Sequence, residues 1–231
     1  MQNKKKNKEN KKVKFTEELY ESIKEKWDEM ADVPFVAEMA NGSLNAEKFK
    51  FYMLQDYAYL KEYIKILEMM YSMTDNAEFK SFFDQLIQAI RDEIDNVHIQ
   101  NMRDLGITED EIKNVKRAKA AVDYNEYVKG NLLRGGIAYG ATSLLQCSWL
   151  YAYIGKKMTE EKKVDPASPY AGWFAVYAGA EYNAANQAWI DTVEAMTADL
   201  GRKEKDELVG IFATCLEYEK GFFDMAYNMR Y

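Results

Sequence analysis

The sequence predicts an all-α fold, on three observations. Over long stretches the apolar residues recur every three or four positions, the spacing that gathers them on one helix face. Two-residue alternation of β-branched side chains, the mark of a half-buried strand, is nowhere sustained. Only three prolines and twelve glycines punctuate the 231 residues. The periodicity predicts helices near 16–31, 34–40, 46–72, 76–105, 109–116, 119–134, 137–158, 169–177, 179–200 and 203–229.

Local chemistry supports these boundaries in order. Pro34 falls in a first helical turn, where its missing N–H costs nothing. Gly42 follows the end of that helix, where a left-handed residue is wanted. Asn45 is placed to cap the helix opening at Ala46. Gly106 ends the long 76–105 stretch, and Thr108 with Glu111 forms a capping box for the next helix. "RGGIAYG" breaks 119–134 from 137–158. The polar segment 159–168, "TEEKKVDPAS", is the longest loop, and Pro169 is expected in the first turn after it. Gly201 is expected as a left-handed residue beyond 179–200.

Charge and rare residues narrow the function. Residues 1–14, "MQNKKKNKENKKVK", hold seven lysines against one glutamate. They read as a solvated, disordered basic arm without the apolar core of a signal peptide, and residues 15–231 as a single helical domain. Subtracting the arm's +6 from the chain's −7 leaves the remainder near −13. An acidic body argues against a nucleic-acid partner. No apolar run reaches the ~18 residues of a membrane span, so no membrane association is expected. Cys147 and Cys215 match no disulfide framework and no zinc spacing, and free thiols suit a cytoplasmic location. With one histidine, His98, multi-histidine metal sites and Ser-His-Asp relays are hard to build. His98 reads as a solvated or hydrogen-bonded neighbour of Asp95, so neither a metal nor a cofactor is expected.

Three helices carry a reactive group on an otherwise apolar seam. Phe49, Tyr52, Asp56, Tyr59 and Tyr63 step by three and four, one continuous face. Gly140, Leu144, Cys147, Tyr151 and Ile154 repeat the pattern, as do Phe212, Cys215, Glu219, Phe222 and Ala226. Taken singly, each seam is core packing: a free cysteine packs as a small hydrophobe, and one buried carboxylate is usually satisfied by a hydroxyl or a lysine. If the three seams converge, they enclose a tyrosine-lined pocket with two carboxylates and a thiol. Such a pocket suits a flat, weakly basic ring, and it would spread the two carboxylate pKa values into one acid and one base.

The stretches "PFVAEMANGSLNAEKFKFYMLQDYAYL", "QCSWLYAYIG", "PYAGWFAVYAG" and "EKGFFDMAY", in this order, resemble the TenA/thiaminase II family of pyrimidine-salvage hydrolases. The resemblance runs from about Phe15 to Tyr227. It implies a heme-oxygenase-like multi-helix bundle, a homotetramer, and a small-molecule aminopyrimidine or thiamin as ligand. Carried over by position, Cys147 matches the family's nucleophile, which puts the chain in the cysteine branch, and Glu219 matches the acid/base. Asp56 matches the carboxylate that holds the aminopyrimidine edge; Tyr59, Tyr124, Tyr151 and Tyr177 match tyrosines that line or tune the site, with Phe222 against the ligand. The chain departs from the family at Val33, ahead of Pro34 and Phe35, at Asn41-Gly42-Ser43, at Gln146 before the cysteine, and at Phe223.

The implied reaction converts 4-amino-5-aminomethyl-2-methylpyrimidine to the hydroxymethylpyrimidine and ammonia, with thiamin as a second substrate. Two other readings stand beside it. One is a non-catalytic pyrimidine-binding or regulatory protein. The other is a heme or di-iron oxidase on the same fold, which usually demands more histidine than this chain has.

Overall fold

The computed structural model describes residues 13–231, with the backbone alone at 96 and 97. The basic arm expected over 1–14 therefore lies outside the described residues, save for Val13 and Lys14. The described chain is helical, with no strand. The helices are α1 (Phe15–Ala31), α2 (Pro34–Asn41), α3 (Ala46–Ser72), α4 (Ala77–Glu93), α5 (Ile99–Asp104), α6 (Glu109–Lys113), α7 (Lys119–Gly135), α8 (Ile137–Glu160), α9 (Ala171–Ala178), α10 (Ala180–Met196) and α11 (Arg202–Asn228).

Most helix ends follow the expected local chemistry. Pro34 is the first residue of α2, and Gly42 closes that helix in the left-handed region at φ 78°. Asn45 Oδ1 accepts from the Glu47 N–H at 2.8 Å. The Thr108–Glu111 capping box closes in both directions, at 2.8 and 3.2 Å. Two expectations are corrected. Gly201 has φ −70° and precedes α11 as its N-cap, so its N–H donates to Glu204 Oε2 rather than ending α10. Pro169 lies two residues ahead of α9 rather than within its first turn.

The largest difference falls in the stretch expected as one helix over 76–105. It is interrupted by a π-helical turn, Ile94–His98, between α4 and α5. There the Ile99 N–H reaches back five residues to the Ile94 carbonyl. The wider turn rotates the side chains beyond it relative to a regular helix. Asp95 stays exposed while His98 is buried.

The long α8 packs against α1, α7, α9, α10 and α11, and α3 packs against α4, α7 and α11. One contiguous core joins them, with Trp27, Phe35, Phe83, Phe174 and Phe212 fully buried. Its bulkiest members are aromatic rings, which meet in edge and offset contacts of defined geometry among the aliphatic side chains. The functional seams lie on α3, α8 and α11, each flanked by such rings.

Candidate active site

The three seams converge. Between α3, α4, α7, α8, α9, α10 and α11 lies a cavity with about 930 Å³ of empty space, counted out to its mouth. All eight residues singled out in the sequence line it: Asp56 and Tyr59 from α3, Tyr124 from α7, Cys147 and Tyr151 from α8, Tyr177 from α9, and Glu219 and Phe222 from α11. The five members of the α3 seam are buried, and so are the five of the α11 seam. Cys215, one turn before Glu219, is fully buried but does not line the cavity. Cys147 is half-buried, as expected of a residue on a cavity wall.

The rings are held by one another. Tyr59 stacks on Tyr124 with centroids 5.3 Å apart and meets Phe222 edge-on at 5.7 Å. Tyr124 stacks in turn on Tyr218. Tyr151 packs edge-on against Tyr177 at 5.1 Å, and its hydroxyl accepts from the Tyr52 hydroxyl at 3.3 Å. Tyr177 reaches the site because α9 lies very close to α8 at Gly155. A Cβ there would stand 2.6 Å from the Tyr177 Cβ and 2.7 Å from its carbonyl carbon. Only glycine permits that approach.

The polar groups divide into two kinds. Glu219 is 2% exposed, and its Oε1 has no hydrogen-bond partner. The Tyr59 and Tyr124 hydroxyls are likewise buried without partners. Buried polar atoms are almost always paired, so three orphans around one cavity mark a place prepared for a ligand or ordered water. Burial raises the Glu219 carboxyl to about 7, against the opposing pull of the nearby Cys147 thiol and Tyr124 hydroxyl. Burial also pushes the Cys147 thiol well above its ordinary value, and the Glu219 carboxylate adds to that. The resting pair is therefore a neutral thiol beside a carboxyl able to gain or lose a proton near neutral pH.

Asp56 is the opposite case. Its Oδ2 lies 2.9 Å from His98 Nε2, and His98 Nδ1 lies 3.8 Å from Glu93 Oε1. Burial alone would lower the imidazole's pKa, but the two carboxylates outweigh it and raise it above the ordinary value. Burial raises the Glu93 carboxyl, partly countered by His98. The expected neighbour, Asp95, plays no part in this pair. Read as a regular helix, 95 and 98 share a face; the π turn gives His98 to Asp56 instead.

Several lining residues were not singled out in the sequence. Tyr182, Asn186 and Trp189 of α10 line the cavity with Glu93 and Ser148. Ser148 Oγ donates to Asn186 Oδ1 at 2.9 Å, and the Tyr182 hydroxyl donates to the Ser148 carbonyl at 3.3 Å. Tyr182, Asn186 and Trp189 step by four and three, a seam that the sequence pattern contains. Among the described residues no group of three or more His, Cys, Asp or Glu side chains is arranged to hold a metal ion, and no helix is long and apolar enough to cross a membrane.

Comparison with known proteins finds relatives over nearly the whole chain. The chain is 28% identical over 217 residues to an aminopyrimidine aminohydrolase of Helicobacter pylori, covering 94% of this chain and all of that one. It is 26% identical to the aminopyrimidine aminohydrolase of Bacillus subtilis, covering 94% and 91%. Among solved structures, a TenA homologue protein from P. horikoshii OT3 superposes with a TM-score of 0.80 at 27% identity, over 94% of this chain and 99% of the other. A TenA family transcription regulator from Silicibacter sp. TM1040 superposes at 0.84 over 93% and 96%, and at 23% identity it speaks for the fold alone. The model of the TENA/THI-4/PQQC family matches residues 20–229, so the chain belongs to that family.

Proposed function

We propose that this chain is an aminopyrimidine aminohydrolase of thiamin salvage, a thiaminase II that acts at the methylene carried by a pyrimidine ring. The carrying observation is the convergence of Cys147, Glu219 and Asp56 on one aromatic cavity, with the Glu219 carboxyl at about 7. The names of the H. pylori and B. subtilis relatives support the same substrate class.

The steps follow from a thiol that burial holds protonated beside a carboxyl raised to about 7. At neutral pH the Glu219 carboxylate takes the Cys147 proton as the sulfur bonds to a ring carbon. This removes the need for a histidine base, which the cavity does not contain. The electron pair pushed into the ring expels the amine from the methylene, and Glu219 returns its proton to the leaving nitrogen. Glu219, again a carboxylate, then deprotonates the water that adds to the exposed methylene. As that C–O bond forms, the C–S bond breaks and the sulfur leaves with its electron pair. It takes the proton from Glu219 to regenerate the thiol. Asp56 holds the aminopyrimidine edge and stabilises the protonated ring. Tyr59 and Phe222 contact its faces, while Tyr124, Tyr151 and Tyr177 orient it. The family resemblance adds a heme-oxygenase-like fold, a homotetramer and a cytoplasmic location to the proposal.

The test is ammonia release from 4-amino-5-aminomethyl-2-methylpyrimidine by wild type, Cys147→Ala and Glu219→Gln. Turnover in the wild type should fall by roughly a thousandfold or more in each variant, since both lie on one proton and electron path. A Cys147→Ala protein with full turnover would remove the covalent step. A wild type that binds the pyrimidine but releases nothing, with thiamin also untouched, would leave the non-catalytic reading.

A further inference from the structure

One buried titratable side chain has no place in that scheme. His98 is 5% exposed, pairs with Asp56, and does not line the cavity that holds Cys147 and Glu219. We infer that His98 is a positioning residue, which fixes Asp56 Oδ2 so that Oδ1 is presented to the amidine-like edge of the pyrimidine. The inference rests on the reading of the cavity as a pyrimidine site.

Asp56 needs such a clamp because packing does not supply one. It lines a second cavity as well as the first, and that second space is bounded by Phe49, Met53, His98, Asn101, Tyr170 and Trp173. With open volume on two sides, the carboxylate has somewhere to swing. Among the described residues its one hydrogen bond is the 2.9 Å contact to His98, and Oδ1 has no partner. A charge-assisted bond of this kind fixes orientation as well as charge.

His98 is in turn held by the fold. The π turn sets it against α3, and Glu93, the last residue of α4, approaches its other nitrogen at 3.8 Å. The charged groups facing the ring are Asp56 from α3 and Glu93 from α4; Asp104 of α5 lines the second cavity beside it. A carboxylate on either side favours the imidazolium, whose Nε2–H donates to Asp56 while Nδ1, without a hydrogen-bond partner, faces Glu93 as a charge contact. π turns inside helices recur where a side chain must be re-aimed at a site.

The protein has a single histidine, so its untagged form gives one imidazole signal by NMR. Calorimetry with hydroxymethylpyrimidine measures the clamp. His98→Leu should weaken binding ten- to a hundredfold, and His98→Gln, whose amide nitrogen can donate to Oδ2, should recover most of it. The loss should appear in KM, with kcat within about threefold. In an Asp56→Asn background, His98→Leu should change binding less than twofold, the non-additivity expected of two groups acting as one. An equal loss in both backgrounds, or a fall in kcat at unchanged KM, would overturn the inference.

The NMR arm stands if the leucine variant fails to fold. The imidazole nitrogen signals should move on Asp56→Asn and again when the pyrimidine is added to wild type; signals unmoved by either would overturn the pairing. A wild type that binds no pyrimidine would sink the proposed function. The response to Asp56→Asn alone would then decide the clamp for or against.

Discussion

Two buried carboxylates face the same cavity and are treated in opposite ways. On one wall Asp56 is paired with an imidazole that a second carboxylate backs. On the other, Glu219 is almost fully buried with one oxygen unpartnered, and burial lifts it to about 7. The paired wall is built to hold a shape, whereas the unpaired wall is built to exchange a proton. Sites that need an acid or base and an electrostatic anchor divide carboxylates by environment in this manner, because the residue type alone cannot.

The same substitution, carboxylate to amide, should therefore change stability with opposite signs on the two walls. Asp56→Asn leaves a buried imidazole without its main partner. At pH 6, where that imidazole is charged, it should cost about 3 kcal/mol, the usual penalty for breaking a buried pair from one side. Glu219→Gln removes a group whose folded pKa, about 7, lies above its ordinary 4.5. Between those values the folded state holds the proton that the unfolded chain has released, so wild-type stability falls as pH rises. Above pH 7 the deficit levels off at about 3 kcal/mol. Glu219→Gln should thus melt several degrees above wild type at pH 8 and lose that advantage as the pH falls toward 4.5. Calorimetric melts of both variants across that range check it. Destabilisation by Glu219→Gln at pH 8 would mean that the carboxylate has a partner the structure does not give it.

A smaller effect is expected from the backbone behind the site. Gly155→Ala places a methyl group where the Tyr177 Cβ and carbonyl now stand. α9 must shift, at a cost of about 1–3 kcal/mol. Because Tyr177 moves with it, KM for the aminopyrimidine should rise severalfold with little change in kcat. A Gly155→Ala protein with wild-type KM would show that Tyr177 does not position the ligand.

How far the site was legible in the sequence follows from what helical periodicity encodes. The seams on α3, α8 and α11 were readable because each reactive residue sits in a run of aromatic and apolar residues at regular three- and four-residue steps. Their convergence was not readable from any one helix; it depends on α8 packing against α11 and α3 against both. The expected pairing of His98 with Asp95 gives way to Asp56 for a physical reason. A π turn leaves no reliable mark in a sequence, and a single five-residue reach changes which face a side chain occupies. Gly201 was misplaced because a glycine between two helices serves equally as the end of one or the cap of the next. The α10 wall is present in the pattern of Tyr182, Asn186 and Trp189, but none of these is a titratable group at neutral pH, so no reactive residue marks that seam.

The finest test of the unpaired wall is Tyr124→Phe. The Tyr124 hydroxyl lacks a hydrogen-bond partner, yet it lies near enough to Glu219 to pull the carboxyl's pKa down against burial. Removing it should let burial win further. The acid limb of kcat/KM, which reports the free enzyme's base, should then move up from about 7 by a fraction of a pH unit. The plateau rate should fall by less than about tenfold, since the thiol and carboxyl remain in place. A limb that moves down would mean that the hydroxyl stabilises the protonated carboxyl instead. Its own proton would then point away from the carboxyl, and Tyr124 would donate to the pyrimidine alone, with no part in lowering the pKa of the carboxyl that transfers the proton.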